Sequence, residues 1–270
     1  MRLCLQLGIF FLLIGLCTGA RAERKKVFPD KASIPLHYVY THVKDTDSPD
    51  KVSVQGLDAD AEGSVTNARG KRTVLARSRL ELERKWAASI FPAMTASGEA
   101  RGTAFLIAEN IVLTNKHLFE KNQDCGKFKV TVRTSKKFTQ YFACDSVLFC
   151  GKGMDFCVVR LQESNDGHKI GEYAKPLPLK VEQVKEGEEL TIIGNTMDYG
   201  ISAASSHEHK YDMSMLAHYI STDHGASGSP VIDENGNVVA LHFMGASKAQ
   251  PSNYAIPIDL IAISILIPSN

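Results

Sequence analysis

Neither sign of charge is in excess: 31 lysines and arginines face 30 aspartates and glutamates, a formal net charge of +1. Without a basic surplus there is no electrostatic footprint for nucleic acid, and nucleic-acid partners are not expected. No segment recurs at a fixed period, which excludes solenoid and propeller arrays. Beyond residue 22 no uninterrupted apolar run approaches the roughly 20 residues that a bilayer core requires, so no membrane partner is expected once the N-terminal segment is removed. The apolar stretch Ala255 to Ile267 carries Pro257, Asp259 and Ser264 and reads as a packed strand and helix. The cysteine spacings do not resemble a zinc site. His207 and His209 are close in sequence, but no acidic or cysteine partner falls at ligand spacing, so they read as exposed-loop histidines. No metal and no cofactor is expected.

What is present begins with an export signal. Arg2 supplies a positive start, Leu3 to Cys17 form an apolar stretch, and Ala20-Arg21-Ala22 gives the small-x-small pattern of signal peptidase sites. Cleavage is placed after Ala22, giving a secreted or periplasmic chain. An uncleaved anchor is the alternative, and the stretch is short for one. Removal of Arg2 and Arg21 lowers the basic count from 31 to 29 against 30 acidic residues, and removes Cys4 and Cys17. The remaining cysteines, Cys125, Cys144, Cys150 and Cys157, permit three pairings. Cys125 and Cys144 flank a possible hairpin, which favours that pair. Cys157 sits in an apolar run and reads equally as a buried free thiol.

Residues 23–72 are polar, with few large apolar groups, and cannot bury enough surface to offset their ordering entropy. They read as a flexible leader or propeptide, ending in the basic run Arg69-Gly70-Lys71-Arg72, where an exposed loop would be cut. An incidental solvated charge run is the alternative. From Val74 to Trp86 the spacing of apolar residues predicts a short helix.

Residues 73–270 read as the folded domain. A composition of 44% hydrophobic and 23% charged residues supports a sizeable core. Thr103–Ala108, Asn110–Thr114, Phe128–Arg133, Phe156–Leu161, Glu189–Gly194 and Val238–Phe243 are rich in β-branched and aromatic residues and read as strands. Glu109-Asn110 and Glu234 to Asn237 supply turns. Many short strands with such punctuation indicate an all-β sandwich or barrel.

Three segments carry chemistry. His117 follows the buried strand Ile111-Val-Leu-Thr and a short polar turn. Asp155 precedes the apolar strand Phe-Cys-Val-Val-Arg-Leu. Ser227 lies in the glycine-flanked loop Asp223-His-Gly225-Ala-Ser227-Gly228-Ser, just before a strand. Each is unremarkable alone; a strand-end histidine or a Gly-x-Ser-Gly turn is usually structural. Together, in this order and context, they match a physical need. A serine hydroxyl is a weak nucleophile until a base takes its proton. His117 does so near neutral pH, and Asp155 would orient the imidazole and fix its tautomer. Gly225 allows the loop an unusual backbone, so that the N–H groups of Gly225 and Ser227 form an oxyanion hole.

These segments resemble those of the chymotrypsin-like serine peptidases, and most closely the bacterial V8-type glutamyl endopeptidases. Gly102-Thr-Ala-Phe-Leu-Ile, Leu113-Thr-Asn-Lys-His117, the Asp155 strand and Gly225-Ala-Ser227-Gly-Ser-Pro-Val match in order, over about 185 residues from Trp86 to Asn270. The resemblance implies an all-β fold of two six-stranded antiparallel barrels, with short helices at the N-terminal side and the C-terminus. The site would lie in the cleft between them. It implies a monomeric endopeptidase acting on polypeptide substrates through an acyl-enzyme on Ser227. Animal trypsins carry an aspartate just before the nucleophile that pairs with the new N-terminus; here Ala226 stands there, so that activation is not expected. In the glutamyl branch, the positions of Thr222 and His242 bind a substrate carboxylate, which implies cleavage after Glu. His224 reads as a rim or loop histidine.

Two other readings compete. A catalytically silent binding protein on the same fold is set against by the presence of all three residues. An esterase would need Gly-x-Ser-x-Gly between a strand and a helix, with the serine first in chain order; here Ser227 comes last and precedes a strand.

Overall fold

The computed structural model describes residues 85–95, 100–119, 125–135, 138–196, 200–247 and 251–266, with four short strand segments between residues 37 and 74. Residues 1–22, read as a signal segment, most of residues 23–72, read as a leader, and most of the helix expected over 74–86 lie outside the described residues. The described pieces ahead of residue 75 are β1 (His37–Tyr38), β2 (Leu57–Asp58), β3 (Ser64–Thr66) and β4 (Arg72–Val74). β3 and β4 pair with each other.

Six strands close into an antiparallel barrel: β5 (Ile90–Met94), β6 (Ala100–Ala108), β7 (Ile111–Thr114), β8 (Lys129–Ser135), β9 (Phe138–Cys150) and β10 (Cys157–Leu161). Their order is β10-β7-β6-β5-β8-β9. A second, curled sheet follows. It is built from β11 (Leu190–Thr196), β12 (Gly200–Ser206), β13 (His209–Asp212), β14 (Met215–His218), β15 (Pro230–Ile232), β16 (Val238–Met244) and β17 (Asn253–Pro257). Its order is β13-β14-β17-β16-β15-β11-β12, and β1 and β2 extend it beyond β12. Helix α1 (Ile258–Leu266) closes the chain and packs Ile258 and Ile261 inward. The arrangement is the all-β, two-barrel fold implied by the sequence. Strand pairing closes the first barrel, while the second is a curled sheet.

The apolar runs mark these strands because both faces of many are buried. Side chains alternate across a strand, so successive residues enter different cores. In β6, Phe105 faces the seam between the two units and Leu106 faces the interior of the first barrel. Val158 and Val159 divide the same way in β10. In β11, Ile193 joins the seam and Ile192 the interior of the second sheet. The seam core also takes Leu113, Phe156, Ile232, Leu241 and Ile256, so the two halves share one apolar layer. A strand buried on both sides reads as a continuous hydrophobic run rather than an alternation.

Among the described residues there are two disulfides, Cys125–Cys144 and Cys150–Cys157. The first agrees with the hairpin reading. The second corrects the reading of Cys157 as a free thiol: its side chain is buried in the apolar run, but β9 and β10 place it directly opposite Cys150. His209 is likewise not an exposed-loop histidine. It lies on β13, 6% exposed and opposite His218, with its Nε2 3.1 Å from the Lys185 carbonyl oxygen.

Candidate active site

β7 ends at Thr114. Asn115 is extended, and a 3-10 turn spans Lys116–Leu118. Leu118 anchors this turn in the first barrel's core, against Gly102, where any side chain on the glycine would collide with it. With Leu118 inward, His117 faces out and keeps 45% of its side-chain exposure. Asp155 sits in the loop between β9 and β10, which Cys150–Cys157 closes at its base and the fully buried Phe156 pins to the seam core.

The two segments interlock. One Asp155 carboxylate oxygen, Oδ2, lies 2.5 Å from His117 Nδ1, and the other, Oδ1, accepts the His117 backbone N–H at 2.8 Å. Asn115 Nδ2 donates to the Asp155 carbonyl at 2.8 Å, and Lys116 Nζ donates to the Gly151 carbonyl at 3.1 Å. An ionised Asp155 accepts only, so the neutral ring must carry its proton on Nδ1 and leave the Nε2 lone pair free. That is the tautomer a general base requires.

The Ser227 loop joins the second sheet to this barrel. Gly225 and Gly228 both lie at positive φ, +98° and +88°. A Cβ on Gly225 would approach the Asn195 carbonyl oxygen to 2.9 Å, and one on Gly228 would run into the Thr103 carbonyl. Glycine is therefore required at both positions by conformation and by space. Thr103 N–H donates to the Ser227 carbonyl at 2.7 Å, and Gly228 N–H donates to the His242 carbonyl at 2.9 Å. A Cβ on Gly228 would also meet Thr114 Oγ1 at 2.8 Å, which seats the serine loop against the strand that leads to His117.

Beside the loop lies a small, open depression, lined by Ser221, Thr222, Asp223 and Ala226 together with β11 and β12. Thr222 Oγ1 is 3.1 Å from Asn253 Oδ1. His242 is not in that lining. It is 2% exposed on β16, with its Nδ1 3.3 Å from His218 Nε2. Burial, helped by the nearby His117, pushes the His242 imidazole down to about 4. Burial first, then His242 and His209, push His218 well below the ordinary histidine value. His209 is lowered too, mainly by burial. His224 is exposed in the loop.

His117 and Asp155 are thus in direct contact, and Ser227 and Gly225 share one loop packed on the same strands. Thr222 and His242 are not hydrogen-bonded to each other. Sequence reading passed over Asn115, which ties the two first-barrel segments, and His218, which backs His242. The latter had a signal: a histidine ending the apolar strand Met215-Leu-Ala-His218.

The chain is similar to known proteins. Exfoliative toxin A of Staphylococcus aureus is 27% identical over 179 residues, covering 60% of this chain and 63% of the toxin. Among solved structures, a serine endoprotease from Yersinia pestis superposes with a TM-score of 0.54 at 16% identity. The match covers 71% of this chain and 66% of the other. A protein from M. tuberculosis H37Rv, solved as an inactive serine-to-alanine mutant, gives 0.52 at 18% identity, covering 70% and 93%. At such identities the solved structures speak for the fold alone, and the chain spans less than two thirds of the toxin's length. The sequence model of the trypsin-like peptidase domain matches residues 102–241, more than half of this chain, and the protein belongs to that family.

Proposed function

We propose that the protein is a serine endopeptidase in which Ser227 is the nucleophile, His117 its general base and Asp155 the orienting carboxylate. The observation that carries this reading is the two-handed grip of Asp155 on His117, through the ring Nδ1 and the backbone N–H. It leaves Nε2 as the acceptor for the Ser227 proton. Attack of Oγ on a peptide carbonyl places negative charge on the carbonyl oxygen, which the N–H groups of Gly225 and Ser227 would receive. The imidazolium, stabilised by Asp155, then returns its proton to the leaving amine. Water repeats the cycle on the acyl-enzyme.

The glutamyl preference belongs to the same proposal. Ala226 and the Ser227-Gly-Ser-Pro sequence favour the V8-type branch, and Thr222 and His242 would receive the substrate carboxylate. With His242 pushed down to about 4, burial holds it neutral near pH 7. If His218 Nε2 donates to His242 Nδ1, the His242 proton sits on Nε2, available to a carboxylate. An arriving carboxylate also favours the charged ring. We further propose that 1–22 is a signal peptide, that 23–72 is a leader cut at its basic end, and that 73–270 is the peptidase domain. The leader strand β1 pairs along β12, one wall of the depression, and β2 pairs with β1. Two disulfides suit an oxidising compartment outside the cytosol.

Digestion of a peptide library by the processed chain tests the activity and the preference together. Enrichment of Glu before the cut is expected. Cleavage without acidic enrichment would remove the roles of Thr222 and His242, and absence of cleavage would remove the enzyme reading.

A further inference from the structure

Thr103 lies on β6 of the first barrel and has no exposed surface, yet it is fully engaged in hydrogen bonds. Its N–H donates to the Ser227 carbonyl at 2.7 Å. Its hydroxyl donates to the Gly225 carbonyl at 2.9 Å and accepts the Asn195 N–H at 2.8 Å. Its own carbonyl accepts from Thr114 Oγ1 at 2.6 Å. One side chain from the first barrel thus touches both the nucleophile loop and strand β11 of the second sheet.

The consequence appears peptide by peptide. The 225–226 peptide is held at both ends, its carbonyl by Thr103 Oγ1 and its N–H by the Asp223 carbonyl at 3.0 Å. The 227–228 peptide is also held at both ends, its carbonyl by Thr103 N–H and its N–H by the His242 carbonyl at 2.9 Å. Between them, the Ala226 carbonyl accepts from Ser229 N–H at 3.0 Å. The Ser227 N–H is then the one hydrogen-bonding group of these three peptides not engaged by a described residue. Thr103 grips the peptide planes on either side of it.

We propose that Thr103 is a positioning residue for the oxyanion hole: by gripping the peptides on either side, its hydroxyl and N–H aim the Ser227 amide at the charge that develops in the transition state. The inference rests on the serine-peptidase reading of Ser227. Donors placed for an oxyanion act on the transition state more than on bound substrate, so their misalignment reads in kcat rather than KM.

The test is Thr103→Val, which keeps the shape and removes the hydroxyl, measured beside Thr103→Ser and Ser227→Ala in the processed chain. Expected is a kcat loss of about 30- to 100-fold with KM within about twofold, since loss of one oxyanion donor costs about 10²- to 10³-fold. Thr103→Ser restores kcat to within about threefold. A peptide boronate, which mimics the tetrahedral oxyanion, loses affinity in parallel with kcat while a product peptide does not. If Thr103→Val does not fold, Thr103→Cys, which keeps a weak donor and acceptor in place, carries the same test through the same kcat-against-KM split. The inference is overturned if kcat stays within threefold of wild type in the removed-hydroxyl variant, or if Thr103→Ser is as impaired as Thr103→Val. With Ser227→Ala inactive, such a result overturns only the role of Thr103. A fully active Ser227→Ala overturns the catalytic reading and this inference with it.

Discussion

Replacing Asp155 with asparagine alters one atom, and the structure dictates which way the new amide must turn. Oδ1 accepts the His117 backbone N–H, which needs an acceptor and cannot move without moving the 3-10 turn. The amide oxygen therefore takes the Oδ1 place, and the NH₂ is directed at His117 Nδ1. A donor there forces the ring to accept on Nδ1 and to carry its proton on Nε2. The histidine stays in position but in the tautomer that cannot receive the Ser227 proton. The expected loss is about 10⁴-fold in kcat, the scale known for this change in serine proteases, or roughly 5.5 kcal/mol of barrier at about 1.36 kcal/mol per decade. The assay is steady-state hydrolysis of a fluorogenic peptide, with circular dichroism and a thiol count confirming fold and disulfides. Reaction with a fluorophosphonate slows in the same proportion, because it needs the same base. A loss under tenfold in a folded Asp155→Asn chain would refute the claim that Asp155 sets the tautomer of His117.

Gly225→Ala meets both a left-handed φ, where a side chain costs about 1–3 kcal/mol, and the Asn195 carbonyl oxygen at 2.9 Å. The loop shifts, and kcat falls by about 10²-fold or more with KM little changed; wild-type kcat would show that the loop geometry is not needed. The buried histidines predict acid sensitivity of the fold. His242 is held near 4 in the folded chain against 6.5 unfolded, so below pH 6.5 the unfolded chain binds the extra proton. Above that pH both states are neutral and the group contributes nothing. Stability therefore falls as pH drops from 6.5 towards about 4, by about 1.4 kcal/mol per pH unit for each such proton. His218 acts in the same direction. Urea titrations of His242→Gln at pH 7.5 and 5 should show a shallower loss than wild type, and an equal loss contradicts the assignment.

Strands buried on both faces were legible as apolar runs: Thr103–Ala108 and Val238–Phe243 fall within observed strands, and Asn110–Thr114 and Phe156–Leu161 each start one residue ahead of theirs. Strands without that signal were not. β12 is Gly-Ile-Ser-Ala-Ala-Ser-Ser, whose small residues have little β preference, yet it pairs with β11 along its whole length. β9 buries Gln140, Phe142 and Cys144 in turn and leaves Tyr141 exposed, so its polar and apolar residues do not alternate with burial, and it shifts register twice against β10. At the site, residue types and local context pointed to His117, Asp155 and Ser227. The bonds that organise them did not show, because they join residues far apart in sequence. Asn115 meets Asp155 across 40 positions, and Thr103 meets Gly225 across 122. The same holds for Cys157 and His209, whose partners Cys150 and His218 are set by strand register rather than by spacing.

The central claim is that Ser227 is a nucleophile made reactive by His117. Its most direct test is to expose the folded, leader-cleaved chain to a fluorophosphonate and map the adduct by mass spectrometry. The account predicts a stoichiometric adduct on Ser227, abolished in His117→Ala. An unlabelled Ser227 in folded, processed protein, or labelling that survives His117→Ala unchanged, would contradict it.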